Sequence, residues 1–288
     1  MQLGRYRFDQ MSYHMTVSFC VFNSSMFPAM HISSVLALTF FLWVNLCGAS
    51  EHSSRADARC QPLQARFSDA PSSFNSYFTP ISPEGSYSVT DAGLEMYLFK
   101  PDGRVTKSAG ANDRLGNGAT INSTFTLSAG KVTIQMSAPT VAGVITAAIL
   151  IGDSSSDEID VELVCGEPNS WQTNLFVPDP RNAKPEYGVF SSKEGVNNIA
   201  ALHAYSIDVS AERIVWSLDG RVVRTLPKDQ CTKNGFSHFP THTMRVQLGI
   251  WDASSPAGTA AWGKGPIDWS RAPDRVTAVV KSITVECD

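Results

Sequence analysis

The segment EIDVELV, residues 158–164, alternates acidic and aliphatic residues. Because side chains on a β-strand point alternately to its two faces, one face carries the carboxylates of Glu158, Asp160 and Glu162. The other face carries the aliphatic side chains between them, and we predict that this face lies in a hydrophobic core. The acidic face should then line the exposed, concave side of a sheet.

Short strands separated by turns recur on both sides of this segment. The clearest pair is RIVWSL-DG-RVVRTL, residues 213–226, in which Asp219-Gly220 supplies the left-handed backbone of a two-residue hairpin turn. The other candidates are SYSVT, GLEMYLFK, GATINSTFTL, KVTIQMSA, ITAAILIG, TNLFV, AYSIDV, MRVQLGIW and VVKSITVEC. No long amphipathic helix separates them, so we predict an all-β domain of antiparallel sheets packed as a two-sheet β-sandwich.

The composition is consistent with a large buried core and argues against some partners. Hydrophobic residues make up 43% of the 288 residues, enough to fill such a core. The formal net charge is −4, and the chain has no basic block. We therefore expect neither nucleic acid nor an anionic membrane surface as the main partner.

The N-terminal region predicts export. From Met30 the sequence MHISSVLALTFFLWVNLCGAS contains an apolar run of about 15 residues, shorter than the roughly 20 residues of a membrane-spanning helix. We assign residues 1–50 to an upstream segment with a signal peptide, 51–62 to a short extension and 63–288 to the predicted β-sandwich domain. An uncleaved anchor is the alternative for the first segment, although we expect no stable membrane span.

Cysteine usage agrees with an oxidising compartment. Removal of the leader leaves four cysteines, which suggest two disulfides with three possible pairings. Because the termini of a domain often lie close together, we favour Cys60–Cys287, which leaves Cys165–Cys231. No Cys or His spacing fits zinc, so we expect no metal site.

Asn122-Ser123-Thr124 is a sequon for N-glycosylation.

The three carboxylates on one strand face repel one another, and this arrangement needs an explanation. A solvated face usually mixes charge signs, and calcium loops are rich in Asp, Asn and Gly rather than in β-branched residues. Glycoside cleavage, in contrast, uses one carboxylate as a nucleophile and a second, protonated carboxyl group as an acid. Mutual repulsion raises one pKa, and the middle Asp160 can hold charge or a proton between the two glutamates.

The spacing of the two glutamates sets a geometric requirement. Residues four apart on a strand have Cα atoms about 13 Å apart, whereas the carboxyl groups of a retaining glycosidase lie roughly 5–5.5 Å apart. We therefore expect Glu158 and Glu162 to lean toward each other on a curved sheet.

The pentapeptide Glu158-Ile159-Asp160-Val161-Glu162 resembles the E-[I/L]-D-x-E signature of glycoside hydrolase family 16, a β-jelly-roll family. The segments QTNLF, HAYSIDV, IVWSLDGRVVRTL, MRVQLGIW and AGTAAW resemble, in order, those of the fungal Crh-type members, which transfer chitin chains onto β-glucan. The resemblance implies a concanavalin-like jelly roll with a concave substrate cleft. It also implies that Glu158 is the nucleophile, Asp160 the supporting acid and Glu162 the general acid/base.

Further cleft residues follow from the resemblance and from the strand pattern. Trp262 matches the sugar-stacking Trp of the family, and Thr259 matches a substrate-contacting position. The remaining candidates occupy one face of their strands, as a preformed sugar site requires. The predicted substrate contacts are Gln172, Asn174, Gln247, Trp251, Thr259 and Trp262.

The chain departs from the family in three places. After Trp251 it reads WDASSP and is about three residues shorter, and AAWGKG stands where I-E-W-A-G-G is usual. Neither a Ser/Thr-rich tail with a lipid-anchor signal nor a chitin-binding module follows VECD, so the sequence does not support anchorage to the wall by a lipid. His203 and Tyr205 match the H-x-Y of the family and are candidates for either a site role or a structural role.

These observations predict a secreted or cell-wall enzyme that acts on polysaccharide as a monomer, without a cofactor. The first hypothesis is a retaining transglycosylase that moves chitin chains onto β-glucan. The second is an endo-β-glucanase, in which water takes the place of the acceptor sugar. The third is a non-catalytic carbohydrate-binding wall protein, against which the intact acidic row argues because a lectin gains nothing from three repelling carboxylates.

Overall fold

Strands dominate the part of the chain that the computed structural model describes. The described residues are 60–69, 74–153, 156–181 and 186–287, with the backbone alone for 186–189. The predicted leader and most of the predicted extension lie outside these ranges. Within them, no helix is long and apolar enough to cross a membrane.

The twenty described strands include all those expected from the sequence, together with short edge strands that were not expected. In chain order they are β1 (Leu63–Arg66), β2 (Phe78–Pro80), β3 (Tyr87–Thr90), β4 (Gly93–Phe99), β5 (Lys107–Ser108), β6 (Ala111–Asn112), β7 (Ala119–Ser123), β8 (Gly130–Ser137), β9 (Val144–Gly152), β10 (Glu158–Val164), β11 (Ser170–Asp179), β12 (Glu186–Val189), β13 (Ser192–Gly195), β14 (His203–Val209), β15 (Arg213–Leu218), β16 (Arg221–Pro227), β17 (Thr232–Lys233), β18 (Phe236–Ser237), β19 (Met244–Asp252) and β20 (Arg275–Glu286). The helices are α1 (Phe74–Tyr77), α2 (Ala257–Trp262) and a 3₁₀ turn (Lys228–Cys231).

Two antiparallel sheets form the predicted β-sandwich. The first, which we call the acidic sheet, has the strand order β12-β11-β10-β9-β19-β7-β2, with β13 also paired to β11. The second, which we call the back sheet, has the order β16-β15-β14-β8-β20-β4-β3, with β1 paired to β20. The acidic strand β10 therefore lies inside its sheet, between β9 and β11.

The core combines the inward faces of both sheets. Ile159, Val161 and Leu163 of β10 are 0% exposed and belong to the same cluster as Trp216 and Ile134 of the back sheet. The alternation of EIDVELV thus predicted the orientation of β10 correctly. The three acidic residues point away from this core.

The hairpin between β15 and β16 also forms as predicted. Asp219 and Gly220 both adopt positive φ angles, 50° and 79°. Asp219 tolerates this conformation because its side chain is engaged locally, with Oδ1 accepting the backbone N–H of Ala204 at 2.9 Å. The register of the two strands shifts between Trp216 and Ser217, which marks a β-bulge next to Trp216.

The cysteine prediction is confirmed for one pair and wrong for the other. Cys60 and Cys287 form a disulfide that joins the ends of the described chain. Cys165 and Cys231 are both buried free thiols. Cys165 follows β10 and lies against Thr146, whereas Cys231 ends the 3₁₀ turn and contacts the Pro227 carbonyl, so the two sulfurs occupy separate surroundings.

Candidate active site

The three carboxylates of β10 differ in exposure. Glu158 is half-buried, whereas Asp160 is 1% and Glu162 is 5% exposed. The prediction of an exposed acidic face is therefore wrong for two of the three residues. Neighbouring side chains of the acidic sheet cover them, and the amide of Asn174 on β11 donates a hydrogen bond to Oε2 of Glu162.

The strand register arranges the outer face of the acidic sheet in rows. Residues directly opposite one another on neighbouring strands point to the same face. The middle row consists of Asn174, Asp160, Ile149, Gln247 and Asn122. The next row consists of Gln172, Glu162, Ala147, Gly249 and Thr120. Three predicted contacts, Gln172, Asn174 and Gln247, and two carboxylates thus lie in two adjacent rows.

In the row that contains Glu162, the residues of β9 and β19 are small. Ala147 and Gly249, on the two strands beyond it, have little or no side chain. The rows on either side of these small residues carry larger groups, Ile149 and Trp251. The side chain of Glu162 thus has no bulky neighbour opposite it on β9.

The surroundings of Asp160 and Glu162 favour the protonated form of their carboxyl groups. Burial, followed by the negative charges of Glu158 and Glu162, raises the pKa of Asp160 well above its ordinary value. Burial and the charge of Glu158 raise the pKa of Glu162 to about 8, while the hydrogen bond from Asn174 acts in the opposite direction. At neutral pH, Glu162 therefore keeps a proton that it can donate.

Two tryptophans form an aromatic platform next to the row that contains Glu162. The rings of Trp251 and Trp262 are stacked, with centroids 5.9 Å apart and an interplanar angle of 18°. The indole N–H of Trp262 donates to Oε1 of Gln172 at 3.1 Å, which links the platform to the strand opposite Glu162. Both rings pack on Ile145 and Val164, the next pair of residues along β9 and β10.

A buried polar network holds the segment that carries Trp262. Asp252 is 4% exposed and accepts the backbone N–H groups of Gly116 and Ser254, both at 2.8 Å. The Ser254 hydroxyl accepts the backbone N–H of Ile267 at 2.8 Å, and the Asn112 side chain donates to the Ile267 carbonyl at 2.9 Å. These bonds tie both ends of the segment to the sandwich.

Helix α2, which the sequence did not predict, carries the last two predicted contacts. Thr259 lies one turn before Trp262 and is half-buried, and its carbonyl accepts the backbone N–H of Gly263 at 2.8 Å. A helix of six residues in a Gly-, Pro- and Ser-rich stretch gives too little periodicity to detect.

The departure AAWGKG places a cation next to this platform. Lys264 has a φ of 62°, a conformation that favours glycine, and its Nζ lies 3.0 Å from Oε1 of Glu167. The other carboxylate oxygen of Glu167 pairs with Nζ of Lys193 at 2.7 Å. Lys193 stands opposite Gln172 in the β11–β13 pairing, so this charged group adjoins the platform.

Asn122 is a residue of this face that the sequence analysis did not identify as a site residue. Its Oδ1 accepts a hydrogen bond from Nε2 of Gln247 at 2.7 Å, which places it at the end of the middle row. From the sequence alone, Asn122 was predicted only to be a site of N-glycosylation. Only the pairing of β7 with β19, which no local pattern encodes, brings it to the site.

The remaining candidates have structural positions. His203 and Tyr205 lie on β14 of the back sheet, where His203 contacts Asp219 at 2.8 Å and Tyr205 is fully buried against Trp171. Among the described residues, no group of three His, Cys, Asp or Glu side chains is arranged to hold a metal ion.

Comparison with known proteins identifies the family. The model of glycosyl hydrolases family 16 matches residues 74–271, well over half of the chain. The chain belongs to this family. Its matched region includes the acidic strand, the tryptophan platform and both rows of the site.

Several relatives of this family 16 chain are named Crh-like proteins. Crh-like protein 2 of Aspergillus fumigatus is 37% identical over 168 residues, which cover 55% of this chain and 37% of that protein. Crh-like protein 5 of the same fungus is 30% identical over 241 residues, which cover 81% of this chain and 57% of that protein. The chain thus spans between about a third and three fifths of the length of these relatives.

A solved structure supports the same branch. The Crh5 transglycosylase in complex with NAG superposes with a TM-score of 0.62 at 28% identity, covering 80% of this chain and 88% of that one. These likenesses confirm the jelly-roll fold and the predicted Crh-type branch of family 16.

Replacement of Glu162 by Gln should stabilise the protein at neutral and alkaline pH. Between pH 4.5 and about 8 the native state keeps a proton on Glu162 that the unfolded chain releases, so stability falls as pH rises through this window. The Glu162→Gln variant removes this loss, up to about 3 kcal/mol at pH 7. Thermal unfolding from pH 5 to 9 should show a smaller decline than in the wild type.

The decline should become smaller rather than vanish, because the raised pKa of Asp160 contributes a slope of the same sign. The exposed Glu84, changed to Gln, is the matched control and should leave the slope unaltered. Parallel curves for wild type and Glu162→Gln would contradict the raised pKa of Glu162.

The folded protein should carry no glycan on Asn122, despite its sequon. The side chain is hydrogen-bonded to Gln247, and the neighbouring Ser123 is 1% exposed with its hydroxyl donated to the Phe125 carbonyl. Peptide mass spectrometry of protein secreted from a glycosylating host should find unmodified Asn122. A hexosamine-bearing peptide from active, folded protein would show that this side chain is accessible and not part of the site.

Proposed function

We propose that this family 16 chain is a retaining transglycosylase that acts on cell-wall polysaccharide and transfers chitin chains to β-glucan. The observation that carries the proposal is the set of acidic side chains on β10, in which Glu158 is followed by two buried carboxyl groups of raised pKa, those of Asp160 and Glu162. Catalysis needs one ionised and one protonated carboxyl group at neutral pH, and this set offers both.

The first step forms a covalent glycosyl-enzyme. The carboxylate of Glu158 attacks the anomeric carbon of the donor, and the bond from that carbon to the leaving oxygen breaks. Glu162 donates its proton to that oxygen, so the shortened chain leaves as an alcohol. Asp160 supports Glu158 from the position between them, since the contact with Glu158 favours a protonated Asp160 that can donate a hydrogen bond.

The second step resolves the intermediate. Glu162, now ionised, takes the proton of an acceptor hydroxyl, whose oxygen attacks the anomeric carbon and releases Glu158 as a carboxylate. Asn174 positions Glu162 in both steps through its amide hydrogen bond. Gln172, Gln247 and the platform of Trp251 and Trp262 provide polar and stacking contacts to the sugar units, with Thr259 at the edge of the platform.

Hydrolysis by an endo-β-glucanase is the second candidate, because water can take the place of the acceptor with the same residues. The two activities differ in how well the bound acceptor competes with water. The stacked tryptophans and the adjoining Glu167 group favour transfer, since they extend the contact surface beside Glu162. A non-catalytic binding role explains neither the buried carboxyl groups nor their raised pKa values.

The remaining features of the proposal follow from the sequence. We propose that the protein is secreted and acts at the cell wall as a monomer, with residues 63–288 as the catalytic domain. Polysaccharide is its partner, and the acid–base chemistry above uses side chains alone.

The test is a transfer assay with a fluorescent acceptor. The purified protein is incubated with chito-oligosaccharide donors and a labelled β-1,3-glucan oligosaccharide, and product sizes are followed by chromatography. The proposal predicts label in longer chains. Shortened donor with unextended label would instead establish hydrolysis, and unchanged donor and acceptor would favour the binding protein.

In the same assay, Glu158→Gln should lower turnover by more than about a thousandfold while the unfolding midpoint stays within a few degrees of wild type. The loss follows because an amide cannot form the glycosyl ester. Glu212→Gln, at an exposed turn residue, is the control that should retain full activity. Near wild-type turnover in Glu158→Gln would contradict the assignment of the nucleophile.

A further inference from the structure

One hydrogen bond crosses the sandwich from the back sheet to the acidic strand. The indole N–H of Trp216 on β15 donates to the backbone carbonyl of Asp160 at 3.0 Å. Trp216 is 0% exposed, so this bond lies in the core, directly behind the middle carboxylate. Buried hydrogen bonds of this kind are shielded from competition by water.

Arg224 holds Trp216 in place. The two residues are paired across β15 and β16, at the bulge, and the guanidinium carbon lies 4.6 Å from the centroid of the Trp216 ring. The same guanidinium donates to the carbonyl of Thr173 at 2.9 Å, to its hydroxyl at 2.7 Å and to the Phe190 carbonyl at 2.8 Å. Thr173 precedes Asn174, so this contact fixes β11 beside the acidic strand.

The two contacts act at the same level of the acidic sheet. Trp216 reaches β10 at Asp160, and Arg224 reaches β11 one residue from Asn174, the partner of Asp160 in the register. Holding the strand toward the opposite sheet at this one residue would bend it there. Side chains two residues before and after that point, on the outer face, would then converge.

This convergence is what the two glutamates require. Their Cα atoms are four residues apart, about 13 Å on a straight strand, whereas retaining chemistry needs carboxyl groups roughly 5–5.5 Å apart. The residue at the midpoint is Asp160, whose carbonyl Trp216 binds. A bend centred there shortens the distance between Glu158 and Glu162 without moving either backbone out of the sheet.

We infer that Trp216, held by Arg224, is a positioning residue that bends β10 at Asp160 and thereby sets the separation of the two catalytic glutamates. This inference rests on the proposed function for the roles of Glu158 and Glu162. Trp216 itself lies on the core side of the sheet and does not contact the substrate.

The charged groups around Glu162 are few, so the repulsion from Glu158 is, after burial, the main cause that raises its pKa. Its own strand contributes Glu158 and Asp160, and β11 contributes only the amides of Gln172 and Asn174. The β9 positions facing it are aliphatic. Beyond Gln172, β13 contributes Lys193, and the loop after α2 contributes Lys264; both lysines are already paired with Glu167.

The test compares Trp216→Phe with Trp171→Phe. Trp171, on β11, is also 0% exposed, and its indole nitrogen is one of the buried polar atoms that lack a hydrogen-bond partner within the described part of the chain. Both variants therefore lose similar core volume, but only Trp216→Phe loses a hydrogen bond to the acidic strand. We expect kcat of chitin-to-glucan transfer to fall on the order of 100-fold in Trp216→Phe, with KM little changed, because misplacement rather than binding is affected.

A second measurement does not depend on activity. The decline of the unfolding midpoint between pH 5 and 9 should become shallower in Trp216→Phe, because greater separation weakens the repulsion that raises the pKa of Glu162. Trp171→Phe should keep the wild-type slope. Equal kcat values and equal slopes in the two variants would overturn the inference.

These results separate the inference from the proposed function. An inactive wild type would defeat the proposed function, and the pH slopes would then decide the role of Trp216 alone. If Trp216→Phe does not fold, Arg224→Met replaces it, since it keeps the indole and removes the contacts that hold it. A wild-type kcat and slope in Arg224→Met would then overturn the inference.

Discussion

The packing of carboxyl groups against one another on β10 is the constraint on which the rest of the site depends. Ionised carboxylates that are nearly inaccessible to water are strongly unfavourable, so the fold retains protons on them instead. Burial and mutual repulsion together raise the pKa of Asp160 and bring that of Glu162 to about 8. The same arrangement that reduces stability at neutral pH supplies an acid ready to donate.

The packing and hydrogen bonds of the sandwich stabilise β10 and so compensate for the unfavourable burial of its acidic side chains. The aliphatic side of β10 is fully buried against the back sheet, and the strand has hydrogen-bonded neighbours on both edges. Asn174 satisfies Glu162 in front, while Trp216 and Arg224 hold the backbone from behind. Functional sites commonly concentrate such locally unfavourable features within a rigid frame.

Local patterns in the sequence predicted the features that depend on local physics. Alternation in EIDVELV fixed the two faces of β10, and Asp219-Gly220 fixed the hairpin turn. Properties set by distant pairing escaped prediction, such as the position of Asn122, the burial of Asp160 and the separation of Cys165 from Cys231. The bond from Trp216 to Asp160 escaped for the same reason, because its partners are 56 residues apart and lie on different sheets.

The most direct test of the account is to trap the glycosyl-enzyme. A chito-oligosaccharyl fluoride needs no acid to release fluoride, so the Glu162→Gln variant should form the intermediate but lack the base that resolves it. Intact and peptide mass spectrometry should then show one oligosaccharide attached to Glu158. Consumption of the donor without an adduct, or an adduct on a different residue, would contradict the assignment of Glu158 as the nucleophile.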